Sequence, residues 1–481
     1  MGGGIAGLSA AWHLKNHGCH NFVVLEMEDQ LGGTSRSVES SVVAYPWGAH
    51  YVPMPMPNNR ALIRLLDEMG AIEMIDDDGT PVAAEQYLVR DPAERVFFDG
   101  LWVEGLYPSV GATPEDHREA QEFRDEINRW ADTRDSQGRR AFAIPVAHGS
   151  DEPFVTELDS ISMSEWLSEH GWTSPRLRWL VDYACRDDFG LTIDQTSAWA
   201  GVFYFASRVA KAGDDSQAVI TWPEGNGRIV SHLRNQIRDH VRVGHAVTSI
   251  ESPQSSGGKT RVVAFDAATG QCHGFRTHQV IFAAPQFIAP HIVGGLDSDQ
   301  DRNAGAFEYG SWVVANVHLR ERTAETGFPL SWDNVIHGSR SLGYVVATHQ
   351  RGRDHGPTVW TWYYPMCEVD AGETRRRLLE ATWEHWVDVV LTDLETPHPD
   401  IRALVTRIDI MRWGHAMVQP GPGFVWSDAR RIASRPFRSV HFANTDLSGL
   451  ALMEEAQYHG VRAAEEVLTA RGIKFESLLV S

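Results

Sequence analysis

The 481-residue chain opens "MGGGIAGLSAAWHLKNHGCHNFVVLE", in which Gly2, Gly4 and Gly7 meet the spacing G-x-G-x-x-G. Each of these residues has a physical task. Gly2 permits a tight turn, Gly4 lets backbone N–H groups approach a pyrophosphate, and Ile5, Ala6 and Gly7 begin a helix whose positive end faces that anion. The helix is expected from about Ile5 to Asn16, with Ala11 small enough for close packing and Gly18 as its stop. "NFVVLE" then reads as a strand closing on Glu26. A carboxylate there accepts hydrogen bonds from both hydroxyls of an adenosine ribose and would repel a 2′-phosphate. The chemistry indicated is the binding of a dinucleotide other than NADP.

Two further stretches could do chemistry. In "TVWTWYYPM" a strand's period of two puts Trp360, Trp362 and Tyr364 on one face. In "DYACRDDFG", Asp182 and Arg186 are four apart on a helix and can pair, while Asp187 and Asp188 either face solvent at a helix end or receive a cationic amine.

Composition narrows the classes. With 43 basic and 64 acidic residues the formal charge is −21, and no basic stripe exists to meet a nucleic-acid backbone. Cys19, Cys185, Cys272 and Cys367 have no metal-ligand or CxxC spacing, so neither a metal site nor a disulfide framework is expected. No apolar run is long enough to span a bilayer, and no leader pattern opens the chain. As given, the sequence reads as soluble and cytoplasmic.

After Glu26 comes "MEDQLGGTSRS", and with it the chain resembles the FAD-dependent amine oxidase superfamily, which includes polyene desaturases. The resemblance implies an α/β fold: a Rossmann-like FAD domain of the p-hydroxybenzoate hydroxylase type, interleaved with an α+β substrate domain. It assigns Gly32, Gly33 and Arg36 to the pyrophosphate and flavin, with Thr34 where many members carry arginine. "YPWGAHYVP" resembles the stretch beneath the isoalloxazine, which brings in Gly48, Ala49 and His50, the last as a proton shuttle or a structural histidine. "TWPEGNGRIVSHL" resembles a helix-opening segment of the FAD domain, Val247 matches the residue that meets adenine through its backbone, and "QVIFAAP" is the next strand and exit turn. In "SVHFANTDLSGLALMEEAQYHGVRAAEEVL", which resembles the closing motif, Asp446 would be the acid near the ribityl chain or pyrophosphate and residues 449–456 would open the last helix. Trp413 and His415 fall where the family carries an aromatic wall against the flavin, and Trp362 is a further pocket residue.

The FAD domain is expected to gather residues 1–60, 218–290 and 425–472. The substrate domain would take 61–217, read as mostly helical, and 291–424, read as strands followed by one helix around "TRRRLLEATWEHWVDVVLTDL"; 473–481 would be a tail. "SPQSSGGKT" reads as a surface turn, and Ser162 as an N-cap with Glu165 at N3.

Within the resemblance, a lysine is expected on the first sheet strand after "QVIFAAP". The chain's lysines, Lys15, Lys211, Lys259 and Lys474, all lie elsewhere, and Val314 or Ala315 stands at that place. This favours a dehydrogenase, desaturase or isomerase over an oxidase of high oxygen reactivity. No cysteine follows Cys367 to tether the flavin, so FAD is expected to be non-covalent. The function expected is an FAD-dependent oxidoreductase that removes hydride from a C–N or C–C bond of a small or apolar substrate and passes electrons to oxygen or another acceptor. The alternatives are a polyene or isoprenoid desaturase or isomerase and, from another class, a non-catalytic binding protein of the same fold. In a nucleotide domain of this type the glycine turn leaves a central apolar strand, for which only Met1 precedes Gly2. The natural protein is therefore expected to begin upstream, and an upstream leader would leave its localisation open.

Overall fold

A computed structural model describes residues 1–77, 79–210, 218–253, 258–299, 301–352 and 355–479. Lys211 and part of the expected turn in "SPQSSGGKT" lie outside the described residues.

The opening helix runs Ile5–Asn16, as its glycine and alanine spacing dictates. It packs against the closing helix Met453–Ala470, and the contact is close because a Cβ on Gly460 would meet Ala6 O at 2.3 Å. Parallel pairs of short strands lie below: Val24–Leu25 with Val241–Arg242, and Val280–Phe282 with Val440–Phe442. Met1 and Gly2 run between these pairs, with Gly2 N–H donating to Leu25 O and Ala283 N–H to Met1 O, both at about 2.9 Å or less. A three-stranded antiparallel sheet, His245–Glu251, Thr260–Asp266 and Gln271–Thr277, completes this part. The expected tail is not free: Leu478 is buried, and its N–H and the Ser477 hydroxyl both donate to Glu465.

Elsewhere a seven-stranded mixed sheet dominates, with Tyr309–Leu319 between Val405–Val418 and Thr358–Met366. Glu94–Phe98 and Leu101–Glu104, from a segment read as mostly helical, join this sheet, and Glu94–Phe98 pairs parallel with Asp333–Ile336. A fully buried Arg95 fixes that pairing, with its guanidinium 3.8 Å over the Trp102 ring and its Nε–H donating to Asn334 Oδ1 at 2.6 Å. Glu94 is thereby held directly beside Asp333.

Helices cover one face of the sheet. The single helix expected around residues 374–394 is two, Ala371–Glu380 and Trp383–Glu395, because Thr382 caps the second by accepting from His385 N–H. The remaining helices, Pro114–Asp132, Met163–Glu169 and Pro175–Phe189, follow their sequence patterns; Ser162 and Glu165 form the expected reciprocal cap.

Candidate active site

The glycine turn builds a cradle from backbone. Gly2 has φ +94°, and a Cβ there would stand 2.3 Å from Ala283 O; one on Gly7 would stand 1.9 Å from Gly2 O. Both close approaches require glycine. Gly4 caps the opening helix without any side-chain bond, no acid lies in the first turn, and a Cβ on Gly4 would meet nothing within 4 Å. The N–H groups of Ile5, Ala6 and Gly7 thus have no acceptor among the described residues, and the space at Gly4 is open. Gly32 N–H donates to Gly3 O at 2.8 Å, which draws the second glycine pair alongside the first, with Gly33 exposed.

Glu26 lies at the rim, accepting from Gly3 N–H at 2.6 Å and Glu28 N–H at 2.9 Å. Its backbone O accepts from His245 N–H at 2.7 Å, so the strand carrying Val247 begins beside it. Arg36 forms no ion pair with any described carboxylate; its Nε is buried and unpartnered, and its guanidinium lies 5.1 Å from the Trp413 ring centre. An uncapped helix end and an arginine without an anion together fit the diphosphate of a dinucleotide.

Residues 46–51 form the floor. Pro46 O accepts from Asn316 Nδ2–H, Trp47 O from Trp413 Nε1–H (2.7 Å), Gly48 O from the Tyr363 hydroxyl (2.9 Å) and Ala49 O from Asn226 N–H (3.1 Å). His50 O and Tyr51 O accept from Thr221 and the Asn226 side chain. Each carbonyl has a donor from a distant part of the chain.

The side chains proposed for the reacting end divide. His50 packs against Tyr51, Trp332 and Tyr363, with ring centres 5.0–5.2 Å away, and burial lowers its pKa to about 4. A pKa there argues against a shuttle titrating near pH 7 and favours the structural alternative. Trp413 is half-buried and ties the sheet to the floor. His415 stacks on Phe287 at 4.3 Å. Trp362 is a correction: it is 1% exposed, and its Nε1–H donates to Asp393 Oδ2 at 2.7 Å on the helix-covered side of the sheet. The period-two argument grouped Trp360, Trp362 and Tyr364 properly, but that face meets the helices, and Thr361 and Tyr363 face the floor. Val314 lies in the same cluster as Tyr363 and Trp413, while Ala315 faces the helices.

Asp446 is the second correction. At 2% exposure its carboxylate reaches no open space; it accepts from Gln286 N–H at 2.7 Å and the Tyr309 hydroxyl at 2.6 Å, and burial raises its pKa to about 6. Its neighbours Asn444 and Thr445 keep accessible surface.

Sequence reasoning missed the far wall. Tyr183 donates to Asp333 Oδ2 at 3.3 Å, and the charge of Asp187, on Pro175–Phe189, is felt at Asp333 and at Tyr51, Tyr183, Tyr204 and Tyr363. Burial, and then the charge of Asp188 beside it, raise Asp187 to about 7, and burial with the charges of Asp187 and Glu94 raises Asp333 well above its ordinary value. No pattern in the sequence marks Asp333. The "RDD" stretch did flag Asp187.

A profile of the family described as flavin containing amine oxidoreductase matches residues 5–468. The chain belongs to that family. Amine oxidase [flavin-containing] A of Sus scrofa is 30% identical over 509 aligned positions, covering 98% of this chain and 85% of that protein. Amine oxidase [flavin-containing] B of the same species is 27% identical over 52% of this chain, and that match spans only 44% of the relative. Among solved structures, putrescine oxidase bound to putrescine superposes with TM-score 0.70 at 17% identity, covering 97% of this chain and 98% of that one. Cyclohexylamine oxidase from Brevibacterium oxydans gives 0.67 at 18%, covering 97% and 98%. The fold is that of the FAD amine oxidases, and FAD is the family's cofactor. No helix among the described residues is long and apolar enough to cross a membrane, and none of them forms a metal-binding cluster.

Proposed function

We propose that this chain oxidises a small amine with non-covalently held FAD and passes the electrons to oxygen or another small acceptor. The observation that carries the reading is the cradle, an uncapped helix end beside the Gly32–Gly33 turn, with the unpartnered Arg36 Nε following that turn, in a chain of this family. Gly4, Ile5, Ala6, Gly7, Gly32, Gly33 and Arg36 would hold the diphosphate, Glu26 the ribose hydroxyls and Val247 the adenine edge. Asp446 holds the turn after Val280–Phe282 through Gln286 and has a positioning role. The chemistry that bound FAD would supply is a two-electron acceptor for hydride from the carbon next to the amine nitrogen, the oxidised amine then being open to hydrolysis by water.

The residues around it do the rest. The fixed floor at residues 46–51 orients the ring system, and Tyr363, Trp332 and Trp413 exclude water from the reacting carbon. His50, neutral and enclosed by rings, contributes shape and not a proton. The sheet face toward the floor carries Val314 at 1% exposure and no ammonium among its described residues, which supports slow reoxidation by oxygen.

Purified protein should be yellow and should bleach when an amine is added without oxygen. Protein that stays colourless after incubation with FAD overturns the reading, as does bound flavin that no amine reduces.

A further inference from the structure

Arg36 belongs to the cradle by its backbone and to the large sheet by its side chain. Its N–H donates to Gly33 O at 3.3 Å, and its O accepts from Trp47 N–H at 3.0 Å where the floor begins. The guanidinium lies 5.1 Å from the Trp413 ring centre, and its Nη2–H donates to Met411 Sδ at 3.6 Å. Met411 and Trp413 are two apart on Val405–Val418, an edge strand of the sheet, and so share one face; both pack in the cluster that holds Tyr363.

This seat leaves the arginine's charge uncompensated. An indole face and a thioether are neutral, weak partners, Arg36 forms no ion pair among the described residues, and its Nε has no acceptor. The group is held in place while its donors stay available to an anion.

A thioether at that place can be changed chemically. Met411 is only half-buried, which admits a small oxidant. Hydrogen peroxide, the product when oxygen is the electron acceptor, transfers one oxygen atom to a thioether. The sulfur lone pair forms the S–O bond as the O–O bond breaks, both peroxide protons leave in a water molecule, and the sulfur gives up the two electrons that the peroxide gains. A sulfoxide oxygen is a strong, dipolar acceptor. Beside a guanidinium it takes the N–H groups that the thioether left free, and it draws the charge toward the strand.

We infer that Met411 is an oxidation-sensitive site governing cofactor retention: the thioether seats Arg36 for the diphosphate, and the sulfoxide holds Arg36 away from it. This rests on the reading of the cradle as an FAD site and is independent of which amine is oxidised.

The test treats the flavin-free full chain with hydrogen peroxide, locates added oxygen by peptide mass spectrometry and measures FAD affinity by flavin fluorescence. Met27 and Met74, 63% and 54% exposed, take up oxygen as well and are kept in every variant, so that position 411 alone differs. The oxidised wild type should bind FAD about tenfold more weakly, and methionine sulfoxide reductase should restore the affinity. Met411→Leu, similar in volume and unable to form a sulfoxide, should bind within about threefold of the untreated wild type and keep that affinity after peroxide. Met411→Gln, which offers an amide oxygen, should bind weakly without treatment. Oxidation of Met411 with no change in affinity overturns the inference, as does an equal loss in the wild type and Met411→Leu, or a Met411 left unoxidised while Met27 and Met74 gain oxygen. If the untreated wild type binds no FAD, the cradle reading falls and this inference falls with it, a result visible before any peroxide is added.

Discussion

The cradle and the far wall of this site are built in opposite ways. The cradle is backbone: its fit comes from glycines that let Gly2, Gly7 and Gly32 crowd their neighbours, and a span of some thirty residues supplies almost all of it. The wall is side chain: Asp187, Asp333, Glu94, Tyr51 and Tyr363 come from a helix and several strands far apart in sequence. Backbone geometry tolerates almost no substitution but serves any dinucleotide of the right shape. Side-chain geometry tolerates substitution at a cost in selectivity.

Replacing Gly7 by valine should produce the largest effect, because the added Cβ alone would stand 1.9 Å from Gly2 O. We expect a destabilisation on the order of 3 kcal/mol or more and loss of bound flavin, read by thermal denaturation and by absorbance after gel filtration. A Gly7→Val protein that keeps its flavin would break the contrast between the two regions.

Asp187→Asn should act with the opposite sign on the flavin-free fold. The folded pKa of Asp187 is raised to about 7 from 3.8, by burial first and then by Asp188, with Arg208 and Arg186 opposing. A raised carboxylate pKa means that the native state holds a proton the unfolded chain has lost. Stability therefore falls as pH rises between those values and is level above them. Between pH 5 and 8 the wild type should lose on the order of 1–2 kcal/mol more stability than Asp187→Asn, measured by urea unfolding at each pH. A variant no more stable than the wild type at pH 8 would mean that the wall is already neutralised from within.

His50→Asn should have the smallest effect. With its pKa lowered to about 4 by burial, His50 does not titrate in the working range. The pH profile of flavin reduction between pH 6 and 9 should keep its shape in the variant. A limb that disappears would give His50 the proton-carrying role that its surroundings argue against.

This contrast also explains what could be read from the sequence. The opening helix, the reciprocal cap at Ser162 and Glu165, and the strand Thr358–Met366 depend on local spacing and were legible. Alternation along Thr358–Met366 told which residues share a face but not which face meets the helices, since both faces are apolar and buried. For that reason Trp362, expected in the pocket, faces the helices, while Tyr363 faces the floor. Asp446 was misplaced because the motif marks an acid near the flavin, whereas Tyr309 and Gln286, which turn its side chain inward, are remote in sequence. Asp333 and Glu94 meet only through a parallel pairing that Arg95 and Asn334 lock, and such long-range register leaves no periodic trace.

The floor has a mechanical consequence. With the carbonyls of residues 46–51 held from the nucleotide-binding side by Asn226 and Thr221 and from the large sheet by Asn316, Tyr363 and Trp413, the segment works as a rivet through both halves of the molecule. A swing of one half against the other would shear these bonds together, leaving buried carbonyls without donors. Traffic to and from the site must then use side-chain rotation and the yielding of peripheral loops, with the two halves moving as one body.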